Sequence, residues 1–212
     1  MPLNQSKLPQ KPLRIGIFAG TFDPVHKGHI TFALKAADSA DLDTIYFLPE
    51  MHPRGKSSVT HISHRLAMLN LAARSHSKLK VLELPDKKFD MVRTWPRLRK
   101  RFKNDQILLL LGSDVFAGLP SWPHVHQLFE DAGIVVGTRG DRDIAQTLGS
   151  VVQLNKALWE VHLVETDHPS ASSRLVRSAL AQGQQNDMLL KSVHRYISQN
   201  WLYVDIRTVV PK

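Results

Sequence analysis

Gly20-Thr21-Phe22-Asp23-Pro24-Val25-His26-Lys27-Gly28-His29 is the stretch on which the reading of this chain turns. The apolar run Leu13 to Ala19 leads into it and reads as a short buried strand closed by a glycine. Ile30, Ala33, Leu34 and Ala37 follow at helical spacing and form one apolar face. The stretch is therefore a strand-to-helix turn, where an α/β protein offers free backbone N–H groups to an anion. Gly20 lets a phosphate approach the main chain because no Cβ intervenes. Pro24 stiffens the turn without leaving an N–H unpaired. His26 and His29, three apart, lie side by side on one face of a starting helix. Two imidazoles beside a helix N-terminus suit phosphate oxygens whose charge grows during reaction. A zinc half-site is the competing reading, yet HExxH is absent and the chain has no cysteine to supply thiolates. Two ordinary surface histidines are the other.

The ten positions together resemble the HxGH motif of the nucleotidylyltransferases that condense ATP with a phosphate monoester. The resemblance implies a Rossmann-like nucleotidylyltransferase fold. Strand and helix alternation independently predicts an α/β protein with a doubly wound parallel sheet and right-handed crossovers.

A length of 212 residues suits a single domain, assigned here to 13–212 behind a loose, proline-containing tail at 1–12. The 42% hydrophobic content supports a full core, and no apolar run approaches the ~20 residues of a membrane span. Residues 1–12 lack the apolar segment of a signal peptide, so a cytoplasmic protein is expected. The absence of cysteine excludes disulfides and thiol catalysis. A net charge of +9 attracts anions, and nucleotides or nucleic acid satisfy it equally. No RRM, KH or zinc-knuckle pattern supports the polynucleotide reading beyond charge alone.

Thr44 to Leu48 reads as a second strand ending at Pro49, and Met51 to Thr60 as a loop carrying His52, Arg54 and Lys56. Arg65, Leu66, Met68, Leu69 and Ala72 mark a helix, followed by a strand from Leu79 to Leu84. The loop and helix resemble the family's P-x-x-x-P-x-K and R-x-x-M-L elements, with the lysine displaced by one; the resemblance implies an ATP-phosphate contact from Lys56, and a solvated loop lysine is the plain alternative. Lys87 to Lys103 holds eight basic residues against the single acid Asp90, either a solvated helix face or the lining of an acceptor-phosphate site.

Gln106 to Leu111 is the strongest strand, a continuous aliphatic run expected at the centre of a parallel sheet. It delivers Gly112-Ser113-Asp114 at its carboxyl end, where ligands of open α/β sheets sit. These residues and Pro120-Ser121-Trp122 resemble the G-x-D and P-x-W elements of the nicotinate mononucleotide adenylyltransferases. Asp114 is then a ribose-hydroxyl ligand or, plainly read, a helix-capping residue. Trp122 is a ring-stacking residue or core. Ile134 to Gly137 and Trp159 to Val164 read as further strands, and Arg139 falls in a T-R-G turn similar to the family's R-x-G.

Ser170 to Arg177 resembles I-S-S-T-x-I-R, departing at Ala171 and Arg174. Ser172 is the expected N-cap of a helix running to Ala181, with Gly183 ending it. Ser173 and Arg177 share a face one turn apart and suit a pyrophosphate leaving group. The close, Val193 to Ile197 and then Trp201 to Tyr203, is similar to V-x-x-Y-I…L-Y, and its apolar spacing indicates packing. The resemblance spans about residues 13–203.

What the resemblance implies is adenylyl transfer in NAD biosynthesis, with Mg²⁺ carried in on ATP and no metal site in the protein. His29 and His26 then serve the α-phosphate and its neighbours. Gly20 and Thr21 position reacting oxygens, Ser173 and Arg177 take the β- and γ-phosphates, and Lys56 assists. Gly112, Asp114, Trp122, Arg139, Asp90 and Met91 form the acceptor and nucleotide side. Members of that branch commonly carry S-Y-T-V-D-T after the third strand. The best placement here gives Phe89-Asp90-Met91-Val92-Arg93-Thr94, with Asp90 and Met91 at the ring-contact positions. An aspartate facing a nicotinate carboxylate is repulsive unless Arg93 or a neighbouring lysine offsets it. Nicotinate mononucleotide is the expected acceptor; nicotinamide mononucleotide, phosphopantetheine and a non-catalytic nucleotide- or RNA-binding regulator are the alternatives. No membrane partner is expected, and self-association is left open.

Overall fold

The computed structural model describes residues 11–53, 58–154, 160–168 and 170–204. Six strands form one sheet: β1 Arg14–Gly20, β2 Thr44–Pro49, β3 Leu79–Val81, β4 Gln106–Gly112, β5 Ala132–Thr138 and β6 Val161–Glu165. The order is β3-β2-β1-β4-β5-β6 and every pairing is parallel. The helices are α1 Lys27–Ser39, α2 Ile62–Ala73, α3 Thr94–Arg101, α4 Ser113–Ala117, α5 Val125–Asp131, α6 Asp141–Leu154, α7 Ser173–Ala181 and α8 Lys191–Gln199. This is the expected doubly wound α/β fold.

β4 shows why the sheet is buried on both faces. Leu108 and Leu110 join Ala33, Ala36, Met68, Leu69, Val176, Val193 and Ile197 from α1, α2, α7 and α8. Ile107, Leu109 and Leu111 face the opposite way and meet Trp95, Leu98, Phe116 and Leu128 from α3, α4 and α5. Alternate side chains of one aliphatic strand thus feed two cores, as the period-2 geometry requires.

Two strand limits differ from the expected ones. β3 stops at Val81 rather than Leu84. Its partner explains the stop: Leu82 N–H still donates to Phe47 O at 2.9 Å, but the next rung needs an N–H from Pro49, which has none. β5 extends to Ala132 and Thr138, beyond the expected Ile134 to Gly137, because β4 pairs with it from Ile107 through Gly112. Trp159, the expected start of the last strand, lies outside the described residues, as do Lys56 and residues 1–10.

The chain order reverses between β1 and β4, so the carboxyl ends Gly20 and Gly112 flank the crevice where open α/β sheets bind ligands. No helix among the described residues is long and apolar enough to cross a membrane.

Candidate active site

A cleft of about 710 Å³ opens at that crevice. Gly20, His26, His29, Gly112, Asp114, Arg139, Ser173 and Arg177 all line it, although they come from four separate segments of the chain. Asp23, Gly28 and His168 line it too.

The histidine pair is built by the start of α1. His26 takes the N-cap position with extended backbone, and its ring stacks on that of His29 with centroids 3.7 Å apart and planes at 29°. His26 N–H donates to His29 Nδ1 at 3.2 Å. Nδ1 is thereby the acceptor, so a neutral His29 carries its proton on Nε2 and can donate from there. Gly28 is required by this arrangement. A Cβ there would meet His26 Nδ1 at 3.1 Å and Ala171 Cβ at 3.2 Å. A Cβ at Gly112 would meet Asp114 Oδ1 at 2.7 Å, so a side chain there would turn the Asp114 carboxylate away from its present place.

His26 is only 5% exposed, and its Nδ1 is buried without a hydrogen-bond partner among the described residues. Burial pushes its pKa from 6.5 down to about 4, and the charges of His168 and Arg139 push the same way. At neutral pH His26 is therefore an uncharged imidazole. A polyanion in the cleft offsets the Arg139 charge and raises the basicity of His26. A stability consequence follows from the sign. The folded pKa lies below the unfolded one, so between pH 6.5 and about 4 the unfolded chain binds more protons. His26 thus costs nothing above pH 6.5 and progressively destabilises the fold as pH falls toward 4. Replacement His26→Gln is expected to flatten that part of the stability curve, checked by urea melts from pH 7 to 4.

Asp23 organises the turn. At 3% exposure its carboxylate accepts from Tyr203 Oη–H at 2.6 Å and from Thr60 N–H at 3.2 Å. Its carbonyl accepts from Arg177 Nη1 at 2.6 Å, and the next carbonyl, Pro24 O, accepts from Ser173 Oγ at 2.9 Å. Ser172 caps α7 as expected, its Oγ accepting from Leu175 N–H at 3.2 Å. The first turn of α7 is thus fastened to the HxGH turn by its own serine and arginine, which explains how two distant sequence elements reach one cleft. The C-terminal Tyr203, read from sequence as packing alone, contributes the third fastening. Burial and its bond to Asp23 push the Tyr203 hydroxyl pKa up, so it stays a donor.

Arg65 is the functional-site residue that sequence reasoning left without a role. It is 0% exposed and donates to four backbone carbonyls. Nε reaches Thr60 O at 2.8 Å, Nη1 reaches Thr21 O and Glu50 O at 2.8 Å each, and Nη2 reaches Met51 O at 3.1 Å. A charged arginine inside an otherwise apolar helix face was the available signal. Thr21 is held through this bond at the end of β1.

On the other wall, Asp114 sits in the first turn of α4, whose N-cap is Gly112. Asp143 joins the two sheet ends by accepting from Ser113 Oγ at 2.8 Å and from Arg139 N–H at 2.7 Å.

The remaining expected residues lie elsewhere. Asp90, Met91 and Trp122 line a second cavity of about 580 Å³ with Lys87, Lys88, Phe89, Arg93 and Arg97. Asp90 Oδ1 accepts from Val92 N–H at 3.0 Å and Arg93 N–H at 2.7 Å, so the side chain fastens the turn just ahead of α3. Met91 is 3% exposed and belongs to the core with Trp95 and Leu98. Phe89 and Trp122 stand with ring centroids 5.8 Å apart.

The family described as cytidylyltransferase-like matches residues 17–179, a span that includes both motif turns and the sheet between them. The chain belongs to the cytidylyltransferase-like family. Relatives in this family carry more specific names. A probable nicotinate-nucleotide adenylyltransferase of Pseudomonas syringae pv. tomato is 35% identical over 210 residues, covering 91% of this chain and 94% of that one. The nicotinate-nucleotide adenylyltransferase of Bacillus subtilis is 31% identical over 199 residues, covering 90% and 98%. Among solved structures, the Plasmodium falciparum nicotinic acid mononucleotide adenylyltransferase complexed with NaAD superposes with a TM-score of 0.70 at 19% identity, covering 90% of this chain and 97% of that one. That likeness bears on the fold alone.

Proposed function

We propose that this protein joins ATP to nicotinate mononucleotide, giving the dinucleotide deamido-NAD and pyrophosphate. The observation that carries the reading is the convergence of the stacked His26–His29 pair with Ser173 and Arg177 in one cleft at the switch point of the sheet. The names of the relatives support the choice of substrates.

In this mechanism an oxygen of the acceptor phosphate attacks the α-phosphorus of ATP in line. A new P–O bond forms, the bond to the β-phosphate bridging oxygen breaks, and pyrophosphate leaves with the electron pair. No covalent enzyme intermediate is needed, because positioning and charge stabilisation suffice for this chemistry. His29 donates from Nε2 to α-phosphate oxygens as charge builds there. Neutral His26 lies against it and serves the adjoining phosphate, with the Gly20 and Thr21 backbone placing reacting oxygens. Ser173 and Arg177 hold the leaving pyrophosphate; Arg177 spends Nη1 on Asp23 O and keeps further donors for phosphate. Lys56 assists from the adjoining loop. Gly112 and Asp114 bracket the ribose, and Arg139 completes that wall. Trp122 stacks on the pyridine ring beside Met91, with Arg93, Lys87 and Lys88 favouring an acidic acceptor. Asp90 keeps its charge while its Oδ1 accepts from two backbone N–H groups, so the cationic Arg93, Lys87 and Lys88 around the same cavity are what offset it for an acidic acceptor. Among the described residues no three His, Cys, Asp or Glu side chains could hold a metal ion together. Mg²⁺ in this reading is bound by the phosphates of ATP and water rather than by a protein cage.

Incubation with ATP, Mg²⁺ and nicotinate mononucleotide is expected to release pyrophosphate and dinucleotide in equal amounts, with CTP a poor substitute. Pyrophosphate release without dinucleotide would overturn the reading. Replacement Arg177→Ala is expected to raise KM for ATP more than KM for the acceptor, because the only substrate groups the residue touches are the leaving-group phosphates. Steady-state kinetics with each substrate varied in turn checks this, and the reverse pattern would place Arg177 on the acceptor side.

A further inference from the structure

The second cavity holds a buried carboxylate that the phosphate chemistry of the main cleft does not use. Asp86 lines this cavity with a side chain only 6% exposed. Its Oδ2 is buried and makes no hydrogen bond among the described residues. Arg97 Nε stands 3.7 Å away, near enough to share charge but beyond hydrogen-bond length. The Arg97 side chain is 48% exposed, so water screens the guanidinium more than the carboxylate. A buried carboxylate with so partial a partner suits a second cation, supplied from the cavity. The charges are also layered by depth. Asp86 and Asp90 lie deeper, whereas Lys87, Lys88, Arg93 and Arg97 are exposed.

The form of the contact indicates which cation. An ammonium group brings N–H donors and calls for an accessible carboxylate oxygen. Asp86 Oδ2 is covered, so it offers the cavity a field without a hydrogen bond. A quaternary ring nitrogen matches this, since it carries positive charge and no N–H. The same cavity presents Phe89 and Trp122, with ring centroids 5.8 Å apart and planes at 48°. Aromatic faces attract a flat organic cation, and more strongly where water is excluded. The exposed bases remain for the anionic groups that such a ring carries.

We propose that this cavity recognises the positive charge of a pyridinium ring, with Asp86 as a specificity-determining residue, and discriminates against the uncharged dihydropyridine form. The inference rests on the adenylyl-transfer reading but concerns only the charge of the acceptor ring. Pyrophosphate release from ATP and Mg²⁺ tests it, with nicotinate mononucleotide and its chemically reduced 1,4-dihydro form compared as acceptors. Both present the same phosphate nucleophile and the same carboxylate, so the ratio of their kcat/KM values isolates the ring charge. The parent is expected to favour the pyridinium form by about tenfold, in line with a desolvated cation held by aromatic faces and a carboxylate. Asp86→Asn keeps the shape of the side chain and removes its charge, so most of that preference should vanish. Arg97→Gln breaks the same ion pair yet leaves the buried carboxylate, so its ratio should hold or rise. A parent that uses both forms equally, an unchanged ratio in Asp86→Asn, or an equal fall in Arg97→Gln would overturn the role of Asp86 and leave the adenylyl-transfer reading standing. No turnover of either form by the parent would overturn both.

Discussion

His29→Ala is expected to lower kcat by about 10²–10³-fold while the protein melts like the parent. Removing one donor aimed at developing charge on a transferred group typically costs that much. The structure supports the assignment through His29 Nδ1, which accepts from the His26 backbone at 3.2 Å and so commits Nε2 as the donor. The ring is further held by the stacked His26 and by Phe22, whose ring centroid stands 5.1 Å away. Asparagine at this position retains a donor near the place of Nδ1 rather than Nε2, so it should rescue little. An alanine variant that keeps most of its turnover would remove His29 from the chemistry.

Arg65→Leu is expected to destabilise the fold by about 3–5 kcal/mol, since several buried carbonyls lose a charged hydrogen-bond donor together. Four carbonyls, those of Thr21, Glu50, Met51 and Thr60, lose their charged donor at once. Buried acceptors left without partners each cost roughly 1–3 kcal/mol, although rearrangement or water recovers part of this. Burial pulls the Arg65 pKa down from its ordinary value, while Asp23, Tyr203 and Glu50 oppose the shift, so the guanidinium stays charged. Arg65→Lys should recover little, because one ammonium cannot reach carbonyls on two strand ends and a loop simultaneously. Chemical denaturation measures the loss directly. A cost below about 1 kcal/mol would mean that these carbonyls find water in its place.

The fold was legible because its signals were local. A glycine-closed apolar run, a helix with its own apolar stripe and the uninterrupted aliphatic β4 each state their structure without reference to the rest of the chain. The end of β3 was not legible, because it depends on a missing N–H at Pro49 in a different strand. The same division runs through the site. Gly20, His26, His29, Ser173 and Arg177 stood in recognisable patterns, and they share one cleft. The contacts that bring them together did not show in the sequence. Tyr203 reaches Asp23 across 180 residues, and Arg177 reaches it across 154. Asp90 shows the reverse case. In sequence it is a lone acid opposite an acidic substrate, whereas in the fold its Oδ1 also fastens its own following turn.

The central claim is a choice of acceptor, and kcat/KM for nicotinate mononucleotide and for nicotinamide mononucleotide, each with saturating ATP and Mg²⁺, tests it most directly. The two acceptors differ only in carboxylate against neutral amide. The second cavity pairs the aromatic Phe89 and Trp122 with four basic residues, Lys87, Lys88, Arg93 and Arg97, against two acids, Asp86 and Asp90, of which Asp86 is paired with Arg97. A clear preference for the acid, with deamido-NAD as product, is the predicted result; a preference for the amide, or no turnover with either, would contradict the account.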